Sequence, residues 1–375
     1  IAQKTHKPIK DFLLKFFHKI YIIIILSQTY SMIEIDGGEK SGSGTILRLS
    51  IALASILNEE LHIFNIRKKR DNPGLRPQHL EAVLTAAKIV NAEVKGAHLG
   101  SKELWFKPNG IKGGNFESEI GTAGSIPMLF MTVLPICIFA KEKVNLTVKR
   151  GGTDVRASPT INYLKNVLLK VLNKIGVNAN IQVIKYGYYP VGMGEAVLSV
   201  EPVRRLIPIV LEEFGNIKEV RGISICTFLK DRKVSERQAL AASKELKKKG
   251  LDPRIDIIYD ESNPLQKGSS IVLWCETDKG AILGSDAIGE IGKSSESVGI
   301  EAAEKLISEV EMRATVDIHL ADMVIPYMAL ADGESSFIVR EVSDHLETNI
   351  WLCEKILGIE FSVSKVNGNW RIRRV

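Results

Sequence analysis

The chain has 375 residues, 45% of them hydrophobic and 25% charged, with a formal net charge of +6. Lys4, Lys7, Lys10, Lys15 and Lys19 against Asp11 put most of that charge in residues 1–31. A field that coats nucleic acid generally is therefore excluded, and any polyanion site must be local.

Residues 1–31 stand apart in composition. The run at 12–26, FLLKFFHKIYIIIIL, is interrupted by Lys15, His18 and Lys19, and its clean apolar part, Tyr21 to Leu26, is far shorter than the ~20 residues of a membrane span. No A-x-A-like cleavage site follows it. The expectation is a disordered or non-native leader, dispensable, with Met32 as the natural start and no membrane association. Cys137, Cys226, Cys275 and Cys353 lie in apolar patterns without C-x-x-C or Cys/His metal spacing, which predicts buried free thiols in a reducing, cytoplasmic setting.

From Met32 onward one supersecondary unit is written three times. The first copy leads in with MIEID, then predicts a helix at 41–58, a strand at 60–67, a helix at 75–92 and a strand at 103–108. The second leads in with NFESEI, followed by a helix at 121–140, a strand at 143–150, a helix at 158–176 and a strand at 179–187. The third leads in with ATVDI at 314–318, followed by a helix at 319–333, a strand at 335–342, a helix at 345–358 and strands at 359–366 and 370–375. Between copies two and three lies a βαββα pattern, in which GSDAIGEIGK (284–293) reads as a Gly-rich loop. The expected architecture is α+β: three βαβαββ modules in pseudo-threefold arrangement with a smaller inserted domain. The expected boundaries are a leader at 1–31, repeats at 32–114, 115–203 and 314–375, and the insertion at 204–313. Such a period is too long for a solenoid, and corresponding loops of three related modules would converge on a cleft.

Those loops carry the chemistry. DGGEKSGSG (36–44) ends a strand and opens a helix, a place where unpaired N–H groups suit phosphate, although it matches neither common nucleotide-binding glycine pattern. IRKKRDNPGLRPQHL (66–80) gathers Arg67, Lys68, Lys69, Arg70 and Arg76 before a helix start, followed by Gln78 and His79. The equivalent loop of the second copy, VKRGGTDVRASP, is again basic, and the third, VREVSDHLETN, puts His345 where a helix begins. His319 and His79 are rivals to His345, and no Ser/His/Asp or metal spacing accompanies any of the three.

In order along the chain, IDGG…GTILR, NPGLRPQHL, IGTAGS, TVLP, RGGTDVRASP, GYYPVGMG, HLADMVIPYMALA and HLETN resemble the landmarks of RNA 3′-terminal phosphate cyclases, from Met32 to the C-terminus. The resemblance implies three repeats like the C-terminal domain of translation initiation factor 3 with an inserted domain. It implies an ATP-dependent, ligase-class enzyme that converts RNA 3′-phosphate ends to 2′,3′-cyclic phosphates through a histidine–AMP and an RNA–adenylate. His345 matches the nucleophile. Met131, Pro159, His319, Leu320, Ala321, Asp322 and Met323 match ATP-contacting positions, and Arg48, Arg67, Arg70, Gln78 and His79 match residues lining the RNA and phosphate cleft. ATP as co-substrate, a divalent metal (Mg or Mn) and RNA with a 3′-phosphate end are the implied ligands; neither metal ligands nor an oligomeric state is assigned. Three positions depart from the pattern: Ser41 replaces a Glu close to the metal, with Glu39 as the nearest stand-in, Met131 replaces a common Gln, and Met193 interrupts a glycine run. The alternatives are a non-catalytic ribosome-biogenesis factor of the same fold, which would lack the histidine, and an enolpyruvyl-transferase-like enzyme.

Overall fold

The computed structural model describes residues 32–375; the leader expectation for residues 1–31 lies outside them. The described chain is mixed α+β, with four four-stranded sheets. In the first, β1 (Ile33–Asp36) runs parallel to β2 (Leu61–Phe64), which pairs antiparallel with β4 (Leu104–Lys107) and through it with β3 (Glu93–Lys95). The second repeats that order with β5 (Gly114–Glu119), β6 (Val144–Gly151), β8 (Gly194–Glu201) and β7 (Asn178–Lys185). The third repeats it with β9 (Val210–Leu211), β14 (Ser335–Val339), β16 (Asn369–Arg374) and β15 (Phe361–Val366).

The first two sheets alternate buried and half-buried positions, as Leu61–Phe64 and Val144–Gly151 do, and the central strand Ser335–Val339 of the third is buried throughout, so each has an apolar face that needs cover. Helices supply it: α1 (Gly44–Leu57) and α2 (Pro77–Val90) over the first sheet, α3 (Ile126–Cys137) and the segment α4 (Ile161–Tyr163), a π-helical stretch (Leu164–Leu168) and α5 (Leu169–Lys174) over the second. Beyond the insertion come α8 (Ile318–Leu330) and α9 (Asp344–Leu357). Helix α1 is apolar nearly all round because it packs against α2, α3 and α9 at once. One continuous core includes residues of all three sheets, among them Ile35, Leu146 and Phe337.

The insertion, β10 (Ile217–Thr227), α6 (Val234–Lys248), β11 (Pro253–Asp260), β12 (Gly268–Thr277), β13 (Ile282–Ile288) and α7 (Ser295–Glu311), has a second core of its own around Leu246, Ile271, Leu283 and Leu306. Two expectations fail here. The first half of the glycine-rich segment expected as a loop belongs to the strand β13, giving βαβββα rather than βαββα. Its glycine answers to packing: a Cβ on Gly284 would lie 2.6 Å from Val167 and 2.8 Å from Tyr163. Nor is ATVDI a strand. The outer strand of the third sheet is β9, which falls inside the segment 204–313 expected as the insertion and pairs with Ser336 and Phe337. Thr315 instead donates its hydroxyl to the Leu211 carbonyl at 2.7 Å, and Asp317 caps α8, so these residues are committed to side-chain bonds and a helix start. All four cysteines are buried free thiols. No described helix is long and apolar enough to cross a membrane.

Candidate active site

Helix starts from all three repeats meet at one cavity of about 590 Å³. Ser43 caps α1, accepting the Thr45 N–H at 3.3 Å. Ser343 caps α9, accepting from Leu346 N at 3.0 Å, and Asp317 caps α8 through the His319 and Leu320 N–H groups. Arg76 precedes α2, which starts on Pro77. Short polar residues stand directly before these helices because their side chains satisfy the N–H groups that a helix start leaves unpaired. The positive ends of these helix dipoles favour an anion in the cavity.

His345, in the first turn of α9, lies with its Nδ1 3.3 Å from Thr45 Oγ1, and Arg48 Nη2 donates to the same hydroxyl at 3.2 Å. The loop between β1 and α1 is tied to α9 through Ser41 N, which donates to Thr348 Oγ1 at 3.2 Å, and a Lys40–Glu347 ion pair at 2.7 Å. Burial, then Arg48 and Arg70, holds the His345 imidazole below its ordinary value, against the pull of Asp344. It is therefore neutral near pH 7.

Cations dominate this end. Burial and then Arg67 lower the Arg48 guanidinium to about 10, still charged at neutral pH; burial, Arg76 and Arg70 lower Arg67. Neither has a carboxylate beside it among the described residues. Arg67 also donates to the Asn72 and Gly74 carbonyls at 2.5 and 2.9 Å, so it holds its own loop in shape. Arg70 is exposed at the rim. Like charges left together without counter-charges are costly, and a phosphate chain relieves the cost.

His79 is buried, and burial followed by Arg48, Arg67 and Arg76 lowers it to about 2. Its Nδ1 is buried without a partner. It packs on Gly44, where a Cβ would sit 2.3 Å from His79 Nε2. Gln78 lines the cavity, but its Oε1 is committed to the Ser125 N–H at 2.8 Å, at the start of α3.

Met131, Pro159, His319, Asp322 and Met323 also line the cavity. Asp322 accepts the Ser343 hydroxyl at 2.6 Å, and burial raises its carboxyl to about 7. Leu320 and Ala321 do not line it: both side chains are wholly buried in the core, as successive residues of a helix with only one face on the cavity must partly be. Ser41 bonds Ser43 through its hydroxyl at 3.0 Å, and Glu39 faces Lys355 at 3.9 Å outside the cavity. Among the described residues no group of three or more His, Cys, Asp or Glu could hold a metal ion.

Sequence reading missed several lining residues: Thr45, Tyr163, Asn349 and, from the insertion, Asp286 and Lys305. Thr45 was within reach, one turn before Arg48 on the same helix. Asp286 lay in the glycine-rich segment read as a loop, and Lys305 carried no local signal.

The family model described as RNA 3′-terminal phosphate cyclase matches residues 39–363. A protein named RNA 3′-terminal phosphate cyclase from Pyrobaculum aerophilum is 46% identical over 340 residues, covering 91% of this chain and 97% of its own. One from Pyrococcus furiosus is 46% identical, covering 88% and 95%, and one from Methanopyrus kandleri is 42% identical, covering 90% and 97%. The solved EPSP synthase of Acinetobacter baumannii aligns over 56% of this chain and 54% of its own at 10% identity, with a TM-score of 0.23, too slight a likeness to carry an argument.

Proposed function

Because the chain belongs to the RNA 3′-terminal phosphate cyclase family, we propose that this cavity is where it performs that reaction, with His345 as the nucleophile. The enzyme is an ATP-dependent cyclase of RNA 3′-phosphate ends. The observation that carries the assignment is a neutral imidazole held at Nδ1 by Thr45, amid guanidinium groups without carboxylate partners.

With the imidazole proton on Nδ1, that nitrogen donates to Thr45 Oγ1 and the Nε2 lone pair is free. That pair attacks the α-phosphorus of ATP; the bond from Pα to the bridging oxygen breaks, and pyrophosphate departs with the electrons. Arg48, Arg67 and Arg70 stabilise the charge that collects on it. An oxygen of the RNA 3′-phosphate then attacks Pα, the P–N bond breaks, and the imidazole is regenerated. In the RNA–adenylate, the 2′-hydroxyl loses its proton to solvent and attacks the 3′-phosphorus. AMP leaves and the 2′,3′-cyclic phosphate closes.

His79 is a poor rival, because its Nδ1 is sealed and its Nε2 packs against the start of α1. His319 is exposed at the start of α8 and suits ligand contact. The test is incubation with α-labelled ATP, which should leave acid-labile, alkali-stable label on the wild-type protein. His345→Ala should abolish label and cyclisation, yet still cyclise chemically pre-adenylylated RNA. Normal labelling of that variant, with loss in His319→Ala, would move the nucleophile to His319.

A further inference from the structure

Two inserted-domain side chains line the cavity: Asp286 of β13 and Lys305 of α7. The adenylyl-transfer steps use neither. Both are held in place. Asp317 accepts the Gly284 N–H at 2.7 Å, two residues before Asp286. Asp286 Oδ2 accepts the Thr160 N–H at 2.7 Å, which sets the carboxylate beside Pro159. Lys305 Nζ donates to the Asp286 carbonyl at 2.9 Å and pairs with Glu301 at 2.8 Å.

The cavity is electrically divided. At the His345 end the guanidinium groups lack carboxylate partners, which suits a triphosphate. At the inserted-domain end Pro159 and Tyr163 present mainly apolar surface, and the charges of Lys305 and Lys293 are balanced by Glu301, which both share, together with Asp286. That end suits a flat, uncharged group with a few polar edge atoms, a nucleobase. Oδ1 of Asp286 has no hydrogen-bond partner among the described residues, and a carboxylate can only accept. An exocyclic amine satisfies it; a carbonyl oxygen in the same place is repelled.

We infer that Asp286 is a specificity-determining residue that accepts a hydrogen bond from the 6-amino group of the ATP base, and that the inserted domain thereby reads the nucleotide. Lys305 is the positioning residue that holds the Asp286 backbone. This rests on the reading of the cavity as the ATP site.

Asp286→Asn keeps an oxygen for the Thr160 N–H while turning a donor toward the base. Protein labelling should be compared for α-labelled ATP, GTP and purine riboside triphosphate, which lacks the amino group. Wild type should prefer ATP to both. In Asp286→Asn the ATP-over-GTP preference should fall at least about tenfold, the scale of one hydrogen bond to a charged group. Lys305→Met should reduce it in the same direction by less, and decides the matter if Asp286→Asn does not fold. Unchanged ratios in the folded variants overturn the inference, as does a wild type that uses purine riboside triphosphate as well as ATP. A wild type that labels with no nucleotide overturns the ATP-site reading itself, and this inference with it.

Discussion

His345 and His79 share one cationic cavity, and burial treats them differently. His79 is sealed with an unpartnered Nδ1, whereas His345 keeps one nitrogen on Thr45 and the other toward the cavity. Burial, Arg48 and Arg70 lower the His345 pKa, so the acid limb of protein labelling should lie below the ordinary histidine range. Removing one of those charges raises the pKa toward its ordinary value, and Arg70→Gln should move that limb to higher pH. An unmoved limb in a pH profile of single-turnover labelling would mean that burial alone sets the value. Arg70 is also the cleaner probe of phosphate recognition, because Arg67 doubles as a buttress of its loop. Arg70→Ala should weaken use of RNA ending in a 3′-phosphate more than binding of RNA ending in a hydroxyl. Equal losses would indicate general backbone attraction.

At the scale of elements, the site is built from helix starts, and the sequence reading began two of them early, at 41 and 121, inside the loops that Ser43 and Ser125 close. Ser43, Ser125 and Ser343 all cap as short polar residues do. Strand β13 was not legible, because Gly284, Ser285 and Asp286 read as turn chemistry, and only the approach of Tyr163 and Val167 explains the small residue. Gly284→Ala should cost about 1–3 kcal/mol in chemical denaturation, the usual range for overpacking. It should also raise KM for ATP, because Asp286 follows on the same strand. A variant as stable as wild type would show that the insertion can shift away from the π-helical segment without strain.

Across the whole molecule, Asp317 is the joint. Its buried carboxylate accepts from Tyr163 Oη at 2.7 Å, from Gly284 N at 2.7 Å and from the N–H groups opening α8. It thus binds a segment under the second sheet, the inserted domain and the third repeat. Asp317→Ala leaves those buried donors unpaired, and should lower Tm and split thermal unfolding into two transitions, since the insertion has its own core. A single transition at the wild-type Tm would refute that role. Burial raises the Asp154 carboxyl to about 7, so the folded state holds this proton more tightly than the unfolded chain. Its contribution to stability is full below the unfolded value near ~4 and lost as pH rises through about 7. Asp154→Asn should therefore narrow the fall in Tm between about pH 5 and pH 8; an unchanged fall would assign it to Asp322 and Glu309, which burial also raises to about 7.

By itself the sequence determined the repeated α+β pattern, the basic loops of the first two copies and the histidine in the corresponding loop of the third. Those signals are local: hydrophobic period, capping residues and turn glycines act within about one turn or one strand. Tertiary structure alone decided that β9, more than a hundred residues before β14, closes the third sheet, and that Asp286 and Lys305 reach the cavity. It also decided that Leu320 and Ala321 face the core while their neighbours His319 and Asp322 face the cavity. Strand pairing and burial are set between segments remote in sequence, where a short strand such as Val210–Leu211 carries too few residues to show a period of its own.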